Sequence, residues 1–268
     1  MKEYLVAVDL EGIHGIVGEP YKTLSAACDY KLACENAVIE TNTVVKALFD
    51  NGADAVTVWD NHGQWNNMDV SKLDPRVTVI NATTGKQAER IFFAREHSYV
   101  GMLCIGYHSK EGTVRGVLAH TFDSVGVQYF KINGETVGEL EVDAYCAGEY
   151  GFPLILFSSD EQGCKQAREF IPGIRTVITK YGKNRNTAEL LPEEEVLAKL
   201  YEETALAMKA DIAPKKLALP AKFEKRLTRS ESAEACLERY LAKGIEARYG
   251  EDSHTVSVTL EDINDALI

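Results

Sequence analysis

Short, nearly all-apolar runs alternate with longer stretches of helical period through the first part of the chain. Residues 4–8 form one such run and end on Asp9, and residues 55–59 form a second that ends on Asp60. Residues 77–80 make a third, and residues 100–107 a fourth that runs into His108. A short continuous apolar run suits a strand buried on both faces. Between the first two, residues 25–50 carry apolar positions at helical period (Leu32, Val38, Val44, Val45, Leu48), and Asn51-Gly52 supplies the stop. A helix-like segment over 84–94 separates the third run from the fourth. Strands separated by helices predict a parallel α/β sheet.

After His108 the pattern changes to short β segments over 115–120 and 127–132, with Asn133-Gly134 as a hairpin signal leading to Thr136 and Val137. A helix over 138–150, a buried strand over 153–157 and a helix after Asp160 resume the α/β alternation. Residues 183–195 are polar and loop-like and precede a helix reaching about residue 210. From Pro214 onward the order is strand 217–227, helix 230–241, strands 245–249 and 255–260, and helix 261–267. The expected architecture is therefore α/β, a three-layer parallel-sheet main domain over 1–185 with a smaller α+β domain over 186–268. The hairpin region 112–137 is free to pack with the second domain.

A chain of 268 residues with 45% hydrophobic content can bury one sizeable core, or a main core and a smaller one. The N-terminal apolar stretch is too short for a secretion signal and runs into Asp9, so a cytoplasmic location is expected. No uninterrupted apolar run approaches the length of a membrane span. The six cysteines include no C-x-x-C pair and read as reduced residues in a reducing compartment. A net charge of -12 repels a nucleic-acid backbone, which argues against nucleic-acid partners.

Ligands of open parallel sheets bind beyond the carboxyl ends of the strands. The polar residues gather at those ends: Asp9 and Glu11 in Asp9-Leu10-Glu11-Gly12, Asp60 and His62 in Asp60-Asn61-His62-Gly63, and His108 after Gly106-Tyr107. Each has an ordinary explanation, as a turn acid or a hydrogen-bonded surface histidine. Independent histidines, however, have no reason to choose strand ends. His120 ends an apolar stretch where an imidazole needs a partner, and Glu139 opens the helix at 138–150. Asp9, Glu11, His62, His108 and Glu139 make a donor set of three carboxylates and two imidazoles. That set suits zinc, manganese or cobalt in a hydrolytic site, and five ligands suggest two divalent ions. Asp60 is expected behind them, accepting the second ring N–H of His62.

These motifs, with Phe130-x-Ile132-Asn133-Gly134 and Gly138-Glu139-Leu140, resemble in order and spacing those of the DppA-type D-aminopeptidase family. The resemblance implies a metallo-aminopeptidase in which Asp9, Glu11, His62, His108 and Glu139 hold two zinc ions and His120 is catalytic. It further implies a ring-shaped homodecamer acting on short peptides with an N-terminal D-residue. His14, bulky Trp59 and Trp65 beside His62, and a 108–120 loop one residue longer than expected depart from the family pattern and bear on the substrate. His120 would stabilise the oxyanion or protonate the leaving amine. A different binuclear metallohydrolase, an amidase or phosphoesterase, is the alternative enzyme, and a metal- or solute-binding protein the non-enzymatic one. A phosphoesterase should place Lys or Arg at the strand ends, and the nearest in sequence are Lys110 and Arg115.

Overall fold

The computed structural model describes residues 1–84 and 87–268, with side chains described for all of these except residues 84, 87–90 and 92. Its first sheet is built from β1 (Glu3–Val8), β2 (Ala55–Asp60), β3 (Thr78–Ile80) and β4 (Tyr99–Ile105). A second sheet takes β5 (Val127–Ile132) and β6 (Glu135–Val137), and the chain returns to the first with β7 (Leu154–Asp160), β8 (Arg175–Asn184) and β9 (Thr187–Leu190). The strand order is β3-β2-β1-β4-β7-β8-β9, parallel throughout except for β9. From β1 the chain builds outward first to β2 and β3, then on the other side to β4, β7 and β8, so the order reverses between β1 and β4. A crevice forms at such a reversal.

Helices cover both faces. One face packs against α1 (Tyr30–Asp50) and α4 (Glu193–Ala207), where Val44 and Leu48 meet Val196, Leu200 and the sheet residues Val6 and Val58 in one apolar cluster. The other carries α2 (Glu139–Glu149) and α3 (Glu161–Phe170), in a cluster that joins Leu5, Trp59 and Leu140 to Phe130 and Phe223 of the second sheet. That antiparallel sheet has the order β11-β12-β10-β5-β6, completed by β10 (Ala221–Leu227), β11 (Ala247–Tyr249), β12 (Thr255–Leu260) and the covering α5 (Ser230–Ala242). The fold is thus mixed α/β with a largely parallel main sheet and a second, antiparallel one, as the pattern predicts. β9 and α4 pack with the first sheet, and the β5–β6 hairpin pairs with β10 of the second. No helix among the described residues is long and apolar enough to cross a membrane.

Several expected elements differ. Residues 115–120 form turns, not a strand. Their backbone groups are taken up elsewhere: Val117 N donates to Asp160 Oδ2, Leu118 N donates to Arg185 O at 2.8 Å, and Leu118 sits at φ 53. The polar stretch 183–195 proves to hold the end of β8, the tight turn and β9. The helix expected over 25–50 begins at Tyr30, after a 3-10 turn at Leu24–Ala26. In place of the helix over 84–94 there is a 3-10 helix at Gln87–Glu96, with residues 85 and 86 outside the described set, and 3-10 geometry also replaces the final helix at Ile263–Leu267.

Two glycines let the ends of β1 and β4 approach. Gly12 N donates to Gly106 O at 2.7 Å, and a Cβ at Gly12 would lie 1.8 Å from Tyr107 O. Gly106 has φ +70, and its Cβ would come 2.4 Å from Asp9 O. Side chains are excluded here by backbone, which cannot move aside as a rotamer can. Gly12→Ala should therefore destabilise the protein by at least ~1–3 kcal/mol, a drop of several degrees in Tm. A melting curve superimposable on wild type would contradict this close approach.

Candidate metal centre

The crevice between β1 and β4 opens into a cavity of about 420 Å³, into which Asp9, Glu11, His62, His120 and Glu139 project. Asp9 and Glu11 follow β1, His62 follows β2, His108 follows β4, and Glu139 is the first residue of α2. All six expected site residues are buried and converge here. The donor atoms of Asp9, Glu11 and His62 lie within 4.8 Å of one another, and so do those of His108, His120 and Glu139. His62 Nε2 is 3.2 Å from Glu11 Oε1, while His108 Nε2 is 3.4 Å from Asp9 Oδ2 and 3.2 Å from Glu139 Oε1. His120 stacks on His108 with ring centres 3.8 Å apart and brings its Nε2 to 3.9 Å from Glu139 Oε1.

The outer nitrogen of every ring is held by an acceptor. His108 Nδ1 donates to Ser109 O at 3.0 Å and His120 Nδ1 to Leu118 O at 2.8 Å. His62 Nδ1 donates to Asn67 Oδ1 at 3.2 Å, the amide's orientation being fixed because Asn67 Nδ2 donates to Asp60 Oδ1 and to His62 O. With Nδ1 carrying the proton, each neutral ring turns a bare lone pair on Nε2 toward the carboxylates. The centre is thus crowded with acceptors. Asp9 Oδ2 and Glu11 Oε2, both buried, find no hydrogen-bond donor among the described residues. An acceptor-only cluster of N and O donors without sulfur fits divalent zinc, manganese or cobalt.

Electrostatics without an ion tell the same story. Burial opposes charge on His62, but Glu11 and Asp9 overcome it and raise its pKa to about 10. His108 is likewise pushed up to about 10, against burial, by Glu139 and Asp9. Burial and the adjacent Glu11 push the Asp9 carboxyl well up, whereas His62 holds Glu11 well down despite its burial. His120, buried and facing His108, falls to about 4. In the ion-free protein, protons must supply the positive charge the cluster lacks.

A family model described as D-aminopeptidase (peptidase M55) matches residues 1–267. The chain belongs to the D-aminopeptidase family. Among its relatives in the family, a D-aminopeptidase of Bacillus subtilis (strain 168) is 31% identical over 208 residues, covering 78% of this chain and 74% of that protein. The solved Zn-dependent D-aminopeptidase DppA from Bacillus subtilis, described as a self-compartmentalizing protease, superposes with a TM-score of 0.86 at 27% identity. The match covers 98% of this chain and 93% of that one. The expected resemblance is borne out, and the chain is a hydrolase of the aminopeptidase class.

Other site expectations on this D-aminopeptidase chain meet mixed outcomes. Asp60 does not receive the His62 ring N–H; it accepts from Asn67 N and Asn67 Nδ2, both at 2.6 Å, and Asn67 holds the ring. Asn67 escaped notice because it lies in a loop with no periodicity to mark it. Trp59 points away from the cavity into the core, packed edge-on against Trp65 and Phe93, while Trp65 does line the cavity. His14 does not line the cavity; its Nε2 lies 2.6 Å from Leu191 O. Lys110 and Arg115 are absent from the cavity wall; Lys110 pairs with Glu141 at 3.1 Å.

The imidazole shifts predict a pH dependence. A ring with pKa raised from 6.5 to about 10 adds stability that is complete below 6.5 and is lost as pH climbs through 10. Melting curves of chelator-treated wild type and His62→Gln should therefore diverge most near pH 6.5 and draw together toward pH 10. A difference that stays constant or widens over that range would show that His62 is not charged by Glu11.

Proposed function

We propose that this chain is a binuclear metallo-aminopeptidase that removes N-terminal residues, D-residues among them, from short peptides. The observation that carries the reading is the convergence of three inward-facing imidazole lone pairs and three carboxylates on one cavity. Asp9, Glu11 and His62 would hold one ion, and Asp9, His108 and Glu139 the second, with Asp9 shared between them. Zinc is the favoured metal because the solved relative is zinc-dependent. A pair of such ions supplies a Lewis acid for the scissile carbonyl and a water whose pKa falls toward ~7.

The remaining work falls to the protein's own residues. Glu139 is held in place by Phe122 N, which donates to its Oε1 at 2.8 Å. His120, neutral and protonated on Nδ1, would accept at Nε2 the proton given up by the attacking water and pass it to the leaving amine. Leu24, Trp65 and Phe122 give the cavity apolar wall for a side chain, and no lysine or arginine lines it among the described residues. That composition disfavours a phosphoesterase, which needs cations to hold phosphate. The relative's self-compartmentalizing character supports a closed homo-oligomer, with a decamer expected, and exposed Tyr21, Val114 and Val125 offer apolar surface for it. A cytoplasmic site of action accords with this reading.

Metal analysis and kinetics on a panel of L- and D-aminoacyl dipeptides test the proposal. Wild type should hold two ions per chain, and His108→Ala should lose metal and activity together. His120→Ala should retain both ions while kcat falls ~10²–10⁴-fold with KM little changed. Loss of metal from His120→Ala would instead make His120 a ligand, and no turnover of any dipeptide by metal-replete wild type would overturn the reading.

A further inference from the structure

Lys180 lies in β8, two strands beyond β4, and is wholly buried. Its ammonium forms no ion pair among the described residues. All three of its N–H donors go instead to main-chain carbonyls of one loop: Glu11 O at 2.6 Å, Ile13 O at 2.8 Å and Ile16 O at 2.7 Å. Its neighbour Thr179 donates from Oγ1 to Gly12 O at 2.6 Å. The loop leaving β1 is thereby drawn across the carboxyl ends of β4 and β7 and tied to β8 through four of its carbonyls, those of residues 11, 12, 13 and 16. An ammonium is costly to bury, and replacing it by an apolar chain would relieve that cost unless its geometry serves a purpose.

The purpose is visible at Glu11. Its carbonyl is gripped by Lys180 on one side while its carboxylate meets His62 Nε2 on the other. Gly12 next to it is held by its N–H to Gly106 O, so close to Tyr107 O that no side chain fits there. Apart from the His62 contact at Oε1, the loop alone defines where the Glu11 carboxylate points, because Glu11 Oε2 receives no hydrogen bond among the described residues. We propose that Lys180 is a positioning residue of the D-aminopeptidase centre, which sets the Asp9–Ile16 loop so that Glu11 faces His62 across the metal cavity. The role rests on the metal-centre reading above, and it adds a residue far from the motif that the strand ends announce.

Removal of the clamp leaves the Glu11 and Ile16 carbonyls without donors among the described residues, Ile13 O keeping only Ile16 N at 3.3 Å, and frees the loop to drift. Ligands whose supports are removed typically lose ~10–100-fold in metal affinity. Lys180→Met and the milder Thr179→Val are to be compared with Tyr240→Phe in α5, which is remote from the cavity and loses a partly buried hydroxyl bond to Asp265 O of the C-terminal 3-10 helix. Three measurements are made on folded protein: zinc affinity by chelator competition, the visible spectrum of the cobalt-loaded form, and hydrogen exchange of the residue 11–16 amides in metal-free protein. For Lys180→Met the expected results are a ~10–100-fold weaker zinc affinity, a changed cobalt spectrum and faster loop exchange, with smaller changes of the same sign for Thr179→Val. Tyr240→Phe should lower Tm and alter none of the three. Wild-type zinc affinity, cobalt spectrum and loop exchange in both clamp variants would overturn the proposal and leave Lys180 a stabilising residue only. Should Lys180→Met fail to fold, Thr179→Val decides by the same criteria. Failure of wild type itself to bind zinc would count against the metal centre and be recognised separately.

Discussion

Everything about this protein's centre follows from a surplus of hydrogen-bond acceptors sealed in one place. Ser109 O, Leu118 O and Asn67 Oδ1 each take the outer N–H of a histidine, and so the inner nitrogen of each neutral ring presents a lone pair. Asp9, Glu11 and Glu139 meet those lone pairs with negative charge. Buried acceptors facing acceptors are strongly unfavourable unless cations lie between them. Protons or metal ions can provide that charge, and divalent ions suit the donor set without requiring the rings to hold protons far above their ordinary range.

The fold makes this crowding possible by bringing three strand ends together. The reversal of strand order between β1 and β4 opens the crevice, and Gly12 and Gly106 allow their chain ends to meet with no side chain between them. The second face then contributes α2, whose first residue is Glu139, and the 106–126 loop folds back to stack His120 on His108. The left-handed backbone at Leu118 and Phe122 bracketing His120 is the cost of that return, in a region where strain accompanies function.

What the sequence discloses and what it conceals divide along physical lines. Buried parallel strands must be apolar on both faces, so β1, β2 and β4 stand out as runs, and an acid or histidine at their ends is conspicuous. The strand β8, next to the edge strand β9, is only partly buried and carries no continuous apolar run, and its Lys180 reads as a surface residue although it is wholly buried. Residues 115–120 look like a strand because they are apolar, yet their hydrogen bonds go to Asp160 and Arg185, a tertiary choice no local pattern encodes. Asn67 holds His62 from five residues away in an aperiodic loop, which leaves Asp60 supporting the supporter. Candidate donor atoms are therefore legible from strand ends, whereas the residues that aim them are not.

The central claim is that the acceptor cluster exists to hold two ions. Anomalous diffraction at the zinc edge, from crystals of zinc-loaded wild type, tests it most directly. The account predicts two peaks ~3.5–4 Å apart, one bounded by Asp9, Glu11 and His62 and the other by Asp9, His108 and Glu139. A single peak, or zinc bound elsewhere with these six side chains still facing one another, would contradict it.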